Sequence, residues 1–91
     1  MQTKQIALKE LRQIPGVGKT IAHDLWNLGF KSIADLKGHD PKVIYDLHNR
    51  FRGSIQDRCM LYVFRCAVYF AENDKSKRDT EKLKWWNWKD K

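Results

Sequence analysis

The chain has 91 residues, enough for one domain and too few for two. Apolar residues make up 42% of it, which allows a real but small core. The formal net charge of +7 says nothing about fold but points to a polyanionic partner, whether DNA, RNA or an acidic membrane surface. The longest apolar stretch, Cys59 to Ala71, is interrupted by Arg65 and is too short to cross a bilayer.

The opening segment, Met1 to Lys9, is polar and lacks the apolar centre of a secretory leader. A cytoplasmic location, with association with the nucleoid, is therefore expected. From about Gln5 to Gln13 the spacing of Ile6, Leu8, Leu11 and Ile14 predicts a first helix, stopped by Pro15-Gly16. A second helix is predicted from Lys19-Thr20 to Leu28, with Ile21, Ala22, Leu25 and Leu28 on one face. Gly29 is the expected left-handed residue past its end, and Phe30 is placed to fold back on the last turn.

Ser32 reads as the cap of a short helix through Ile33, Ala34 and Leu36, ended by Gly38. Asp40-Pro41 is a cap followed by proline at the first helical position. The helix it opens carries Val43, Ile44, Leu47 and Phe51 as its apolar positions and breaks at Arg52-Gly53-Ser54. A last helix is predicted from Ile55 to Ala71. It is apolar on nearly every side, the signature of a central element. Glu72 to Lys84 is charged and weakly patterned, and then come Trp85, Trp86 and Trp88.

Cys59 and Cys66 lie seven residues apart in that last helix. At about 1.5 Å of rise per residue their Cα atoms sit about 10 Å apart, beyond the roughly 7 Å a disulfide tolerates. Two buried free thiols, suited to a reducing cytosol, are expected. His23, His39 and His48 have no zinc-ligand spacing with them and are read as surface residues. A thiolate nucleophile is disfavoured in so apolar a helix, and the aspartates show no paired arrangement for a metal nuclease. No enzyme is expected.

The sharpest signal is the run Leu11-Arg12-Gln13-Ile14-Pro15-Gly16-Val17-Gly18-Lys19-Thr20-Ile21-Ala22. Gly16 and Gly18 permit backbone angles that a Cβ forbids and let another backbone come close. Val17 can point inward and pin the loop to both helices. The N–H groups near Gly16 and Gly18, with those opening the second helix, form a ready anion site. Lys19 and Thr20 add a charge and a hydroxyl suited to phosphate. Gly18-Lys19-Thr20 also matches the end of a nucleotide-binding P-loop. That loop needs a glycine five residues before Gly18, where Gln13 stands, and a preceding strand rather than a helix.

These residues, over about Leu8 to Leu28, resemble the helix-hairpin-helix family. The resemblance implies that the hairpin amides hold successive phosphates of one strand, with Gly16, Val17, Gly18, Lys19 and Thr20 at the site. It also implies a monovalent cation at the backbone carbonyls of Arg12, Ile14 and Val17, and no other cofactor. The second helix pair, joined through Arg52, Gly53 and Ser54, resembles a degenerate second hairpin without the Gly-apolar-Gly signature, and the resemblance implies that these three residues also belong to the nucleic-acid site. The run Asp57 to Tyr69, with Lys84 to Lys89, resembles a small bacterial family of pathogenicity-locus or mitomycin-resistance proteins.

The expected fold is all-α. A compact five-helix tandem helix-hairpin-helix domain spans residues 1–72, and a charged linker with a Trp-rich tail spans 73–91 and packs back on it. Lys82, Lys84, Lys89 and Lys91 intersperse that tail. The expected function is DNA binding to backbone phosphates without sequence preference, in repair or recombination. The alternative is a protein-interaction module with a purely structural hairpin, docking a partner through the tryptophans. No membrane partner is expected.

Overall fold

Three apolar residues, Leu11, Ile14 and Val17, are almost wholly buried and bring the first two helices together around a tight turn. The computed structural model describes residues 3–89, so the leader reading at Met1 and the charge at Lys91 fall partly outside the described residues. Helix α1 spans Thr3–Leu11, α2 Lys19–Asn27, α3 Pro41–Arg52 and α4 Cys59–Glu72. Single 3-10 turns occupy Ala34–Leu36, Lys75–Lys77, Thr80–Leu83 and Trp85–Trp88. The fold is all-helical, with four α-helices and no strand among the described residues. It measures 39 × 34 × 21 Å.

Ala7 and Leu11, one turn apart, give α1 its buried face, and Leu8 is half-buried beside them. Ile6, expected on that face, is 63% exposed. It lies one residue, about 100°, away from the Ala7–Leu11 stripe. Helix α2 buries Ala22, Asp24 and Leu25. Its end follows the sequence signals closely: Gly29 has φ +103°, and the Phe30 amide returns to the Leu25 carbonyl at 2.9 Å. The helix foreseen after Ser32 is the single 3-10 turn Ala34–Leu36, tied to α1 by the Ile33 amide donating to Glu10.

At the start of α3 the Asp40 side chain accepts from the Lys42 amide at 2.9 Å, with Pro41 behind it. The inward face of α3 differs from the expectation. Ile44, Tyr45 and His48 are buried, whereas Val43, Leu47 and Phe51 are 48%, 36% and 46% exposed. Polar partners decide the rotation. The Tyr45 hydroxyl donates to the Gln56 carbonyl at 2.6 Å, and His48 meets Asp24 of α2 at 2.8 Å.

Helix α4 starts at Cys59, four residues later than expected, and Ile55 is 85% exposed. Gly53, with φ +76°, closes α3, its amide going to Arg50 and that of Ser54 to Asn49. The Asn49 side chain then takes the Gln56 amide, which keeps the segment out of a helix until Asp57 caps Cys59. From there α4 is buried nearly all round, through Leu61, Val63, Phe64, Cys66, Ala67, Val68, Phe70 and Ala71. At about 1.5–3 kcal/mol for each large apolar side chain, this helix contributes most to the core.

The segment after α4 lies against that helix. Arg78 stacks 3.5 Å over the Phe70 ring and donates to its carbonyl. The Asp79 amide reaches the Tyr69 hydroxyl at 2.8 Å, and Leu83 and Trp85 pack on the core. Arg65 holds the Trp88 carbonyl at 2.7 Å. The chain therefore covers Cys66, whose thiol is pushed up to about 11 by burial. Cys59, expected buried, is exposed because α4 begins there, at the rim of the core. The carboxylate of Asp57 beside it raises its pKa as well.

Candidate nucleic-acid interface

The turn after α1 is built from overlapping backbone bonds: Arg12 to Leu8, Gln13 to Glu10, Ile14 to Leu11 and Val17 to Ile14, all within 3.1 Å. This winding brings Val17 inward, 5% exposed, and leaves Gly16 with φ +86°. Gly18 then takes extended angles and stands as the N-cap of α2 with no side chain over the helix end. Its carbonyl receives the Ala22 amide at 2.9 Å. Among the described residues no acceptor meets the amides of Gly18, Lys19 or Thr20. These are the unsatisfied donors of a helix start, carrying the positive end of its dipole.

Gly18, Lys19 and Thr20 are exposed, and a Cβ placed on Gly18 would meet nothing within 4 Å. The surface here is open to an incoming group. Lys9, Arg12, Lys19 and His23 line one depression beside it, together with Gln5 and Leu8. The cations at Lys9 and Arg12 were not singled out from sequence, since only the packing of α1 on α2 brings them next to Lys19.

Gly16 differs from Gly18. A Cβ on it would lie 2.8 Å from Cδ1 of Trp85 and 3.3 Å from Val63. Its missing side chain makes room for the tail tryptophan. Val17 turns its side chain into the core and offers only its backbone. Of the three carbonyls matched to a monovalent cation, that of Ile14 accepts the Val17 amide, while those of Arg12 and Val17 receive no hydrogen bond among the described residues.

The second linker is arranged otherwise. The amides of Gly53 and Ser54 are consumed by the end of α3, and the Ser54 hydroxyl takes the Gln56 side chain at 3.1 Å. Arg52 donates through Nε and Nη2 to Asp24 Oδ2, at 3.0 and 2.7 Å. The same oxygen meets His48 Nε2, so one buried carboxylate joins α2 to α3. His48, expected at the surface, is 1% exposed and packs edge-on against Phe64. The i, i+4 spacing of His48 and Arg52 is visible in the sequence, but Asp24, 24 and 28 residues before them, has no local signal that makes it their partner.

A small all-helical protein with a Pro-Gly-Val-Gly turn opening its second helix is the class that fold and site define. The chain belongs to the pathogenicity locus (Cdd1) family, whose pattern matches residues 4–91, both helix pairs and the Trp-rich tail included. No curated protein and no solved structure matched the chain in the same comparisons. Among the described residues no helix is long and apolar enough to cross a membrane.

Proposed function

We propose that this protein is a tandem helix-hairpin-helix module that binds the phosphate backbone of DNA without reading sequence. In this architecture α1 and α2 form the first hairpin unit, α3 and α4 the degenerate second, and the Ala34–Leu36 turn is the connector. One observation carries the reading: the uncapped start of α2, where the amides of Gly18, Lys19 and Thr20 face open space beside Lys9, Arg12 and Lys19. Such donors favour an anion, and phosphate contacts carry affinity but little sequence information. The role is binding rather than catalysis, in the cytoplasm, within repair or recombination.

A second reading, a protein-interaction module, is favoured by the apolar stripe of Val43, Leu47 and Phe51 along the outer face of α3, continued by Ile55. Apolar surface of this kind marks contact sites.

Titration of random-sequence DNA at several salt concentrations separates the two. A hairpin holding roughly two to four phosphates gives a log–log salt slope of about −2 to −4. Lys19→Ala is expected to weaken binding alike on every sequence. A flat salt response, or a Lys19→Ala protein that binds as wild type does, removes the hairpin as the site.

A further inference from the structure

Two of the tail tryptophans are explained by the fold. Trp85 packs on the core and against Gly16. Trp88 lies 5.5 Å from the Tyr69 ring and donates its indole N–H to the Lys82 carbonyl at 2.7 Å. Trp86 is not explained. It is 52% exposed, and among the described residues its indole N–H meets no acceptor. An exposed tryptophan is an unusual use of the largest apolar side chain.

Its position gives it a use. The Trp85 ring touches the hairpin at Gly16, and the Trp86 ring lies nearly perpendicular to Trp85, with centroids 5.8 Å apart at 84°. Trp86 is thus the next ring outward from the turn that carries the free amides. The segment presenting it is fixed: Asn87 bonds Lys84 and Glu81 through its amide and side chain, and Arg65 holds the Trp88 carbonyl. Little further order is needed when a ligand arrives.

We infer that Trp86 is a stacking platform for an unpaired nucleobase, so that the preferred ligand is single-stranded nucleic acid. The inference rests on the hairpin reading. The amides take the phosphate, and the adjacent indole takes the face of a base of the same strand. Every base has such a face, so the contact adds affinity without sequence preference. A closed duplex keeps its bases stacked on each other and offers no free face without unstacking.

The test uses the full chain and fluorescence anisotropy with four labelled probes of equal length: a mixed-sequence DNA strand, its RNA counterpart, an abasic DNA strand and a duplex. Trp86→Ala is expected to weaken the two base-bearing strands roughly five- to 150-fold, the range for about 1–3 kcal/mol per stacked base. It is expected to leave the abasic strand and the duplex unchanged, and Trp86→Phe to restore most of the loss. The two base-bearing arms distinguish DNA from RNA as the better strand. Since the ring is exposed, Trp86→Ala is expected to melt as wild type does. Equal losses on abasic and base-bearing strands overturn the inference, as does an unchanged single-strand affinity. If Lys19→Ala still weakens every probe in that case, the hairpin reading survives on its own. If neither variant changes binding, both fall.

Discussion

Substitution of Gly16 by alanine tests whether the hairpin and the tail are one packed unit. Two costs are expected together. The residue sits at φ +86°, a conformation that costs a residue with a Cβ roughly 1–2 kcal/mol. The new Cβ would also fall 2.8 Å from the Trp85 ring, with Val63 at 3.3 Å behind it, an overpacking that typically costs about 1–3 kcal/mol. The sum, about 2–5 kcal/mol, is a large share of the 5–15 kcal/mol that stabilises a typical domain. At about 4–8 °C per kcal/mol for a domain of this size, the melting temperature is expected to fall by at least about 8 °C. A double-mutant cycle isolates the contact. In a Trp85→Ala background the backbone cost and the lesser contact with Val63 remain, so Gly16→Ala and Trp85→Ala should couple by the Trp85 share of the overpacking, up to roughly 1–3 kcal/mol. Gly18→Ala is the control, since its extended backbone and open surroundings accept a Cβ without strain. Its stability should hold or rise by up to about 1 kcal/mol, so a fall in its affinity for DNA would report the approach of phosphate to the hairpin rather than unfolding. A Gly16→Ala protein that melts as wild type does, or a cycle that is simply additive, would refute the reasoning.

Two further outcomes follow from the buried groups. Asp24→Ala strands His48, whose Nδ1 already lacks a partner among the described residues, and frees Arg52. Urea unfolding should show a loss of about 2–4 kcal/mol, and a loss well under about 1 kcal/mol would mean that this carboxylate does not hold α2 to α3. A thiol reagent at mildly alkaline pH should modify Cys59 quickly and Cys66 only after unfolding, because the Lys82–Leu83 backbone covers the latter and burial raises its pKa to about 11. Equal rates at both thiols would show the tail to be open in solution.

The sequence by itself determined that there are four main helices and where most of their breaks fall, because those depend on neighbours along the chain, although α1 ends two residues and α4 starts four residues from the expected points. Pro15-Gly16 had to stop α1, Gly29 had to turn the chain after α2, and Asp40-Pro41 had to start α3. Of the apolar run expected from Ile55 to Ala71, the part from Leu61 onward lies at the centre, while Ile55 and Cys59 are exposed. The uncapped start of α2 was legible for the same reason, since the glycine ahead of Lys19 has no side chain to cover it. What the tertiary structure decided was orientation. Residues 43, 47 and 51 make as good an apolar stripe as residues 44, 45 and 48 make a mixed one. Hydrogen bonds to Asp24 and Gln56, set by chain segments far from the stripe, turned the mixed one inward. The same holds for Ile55, left outside because Asn49 and Tyr45 hold the loop at Gln56. It holds for Gly16 too. Its left-handed turn was legible locally, but Trp85 against it, 69 residues along the chain, was a neighbour that only packing could supply.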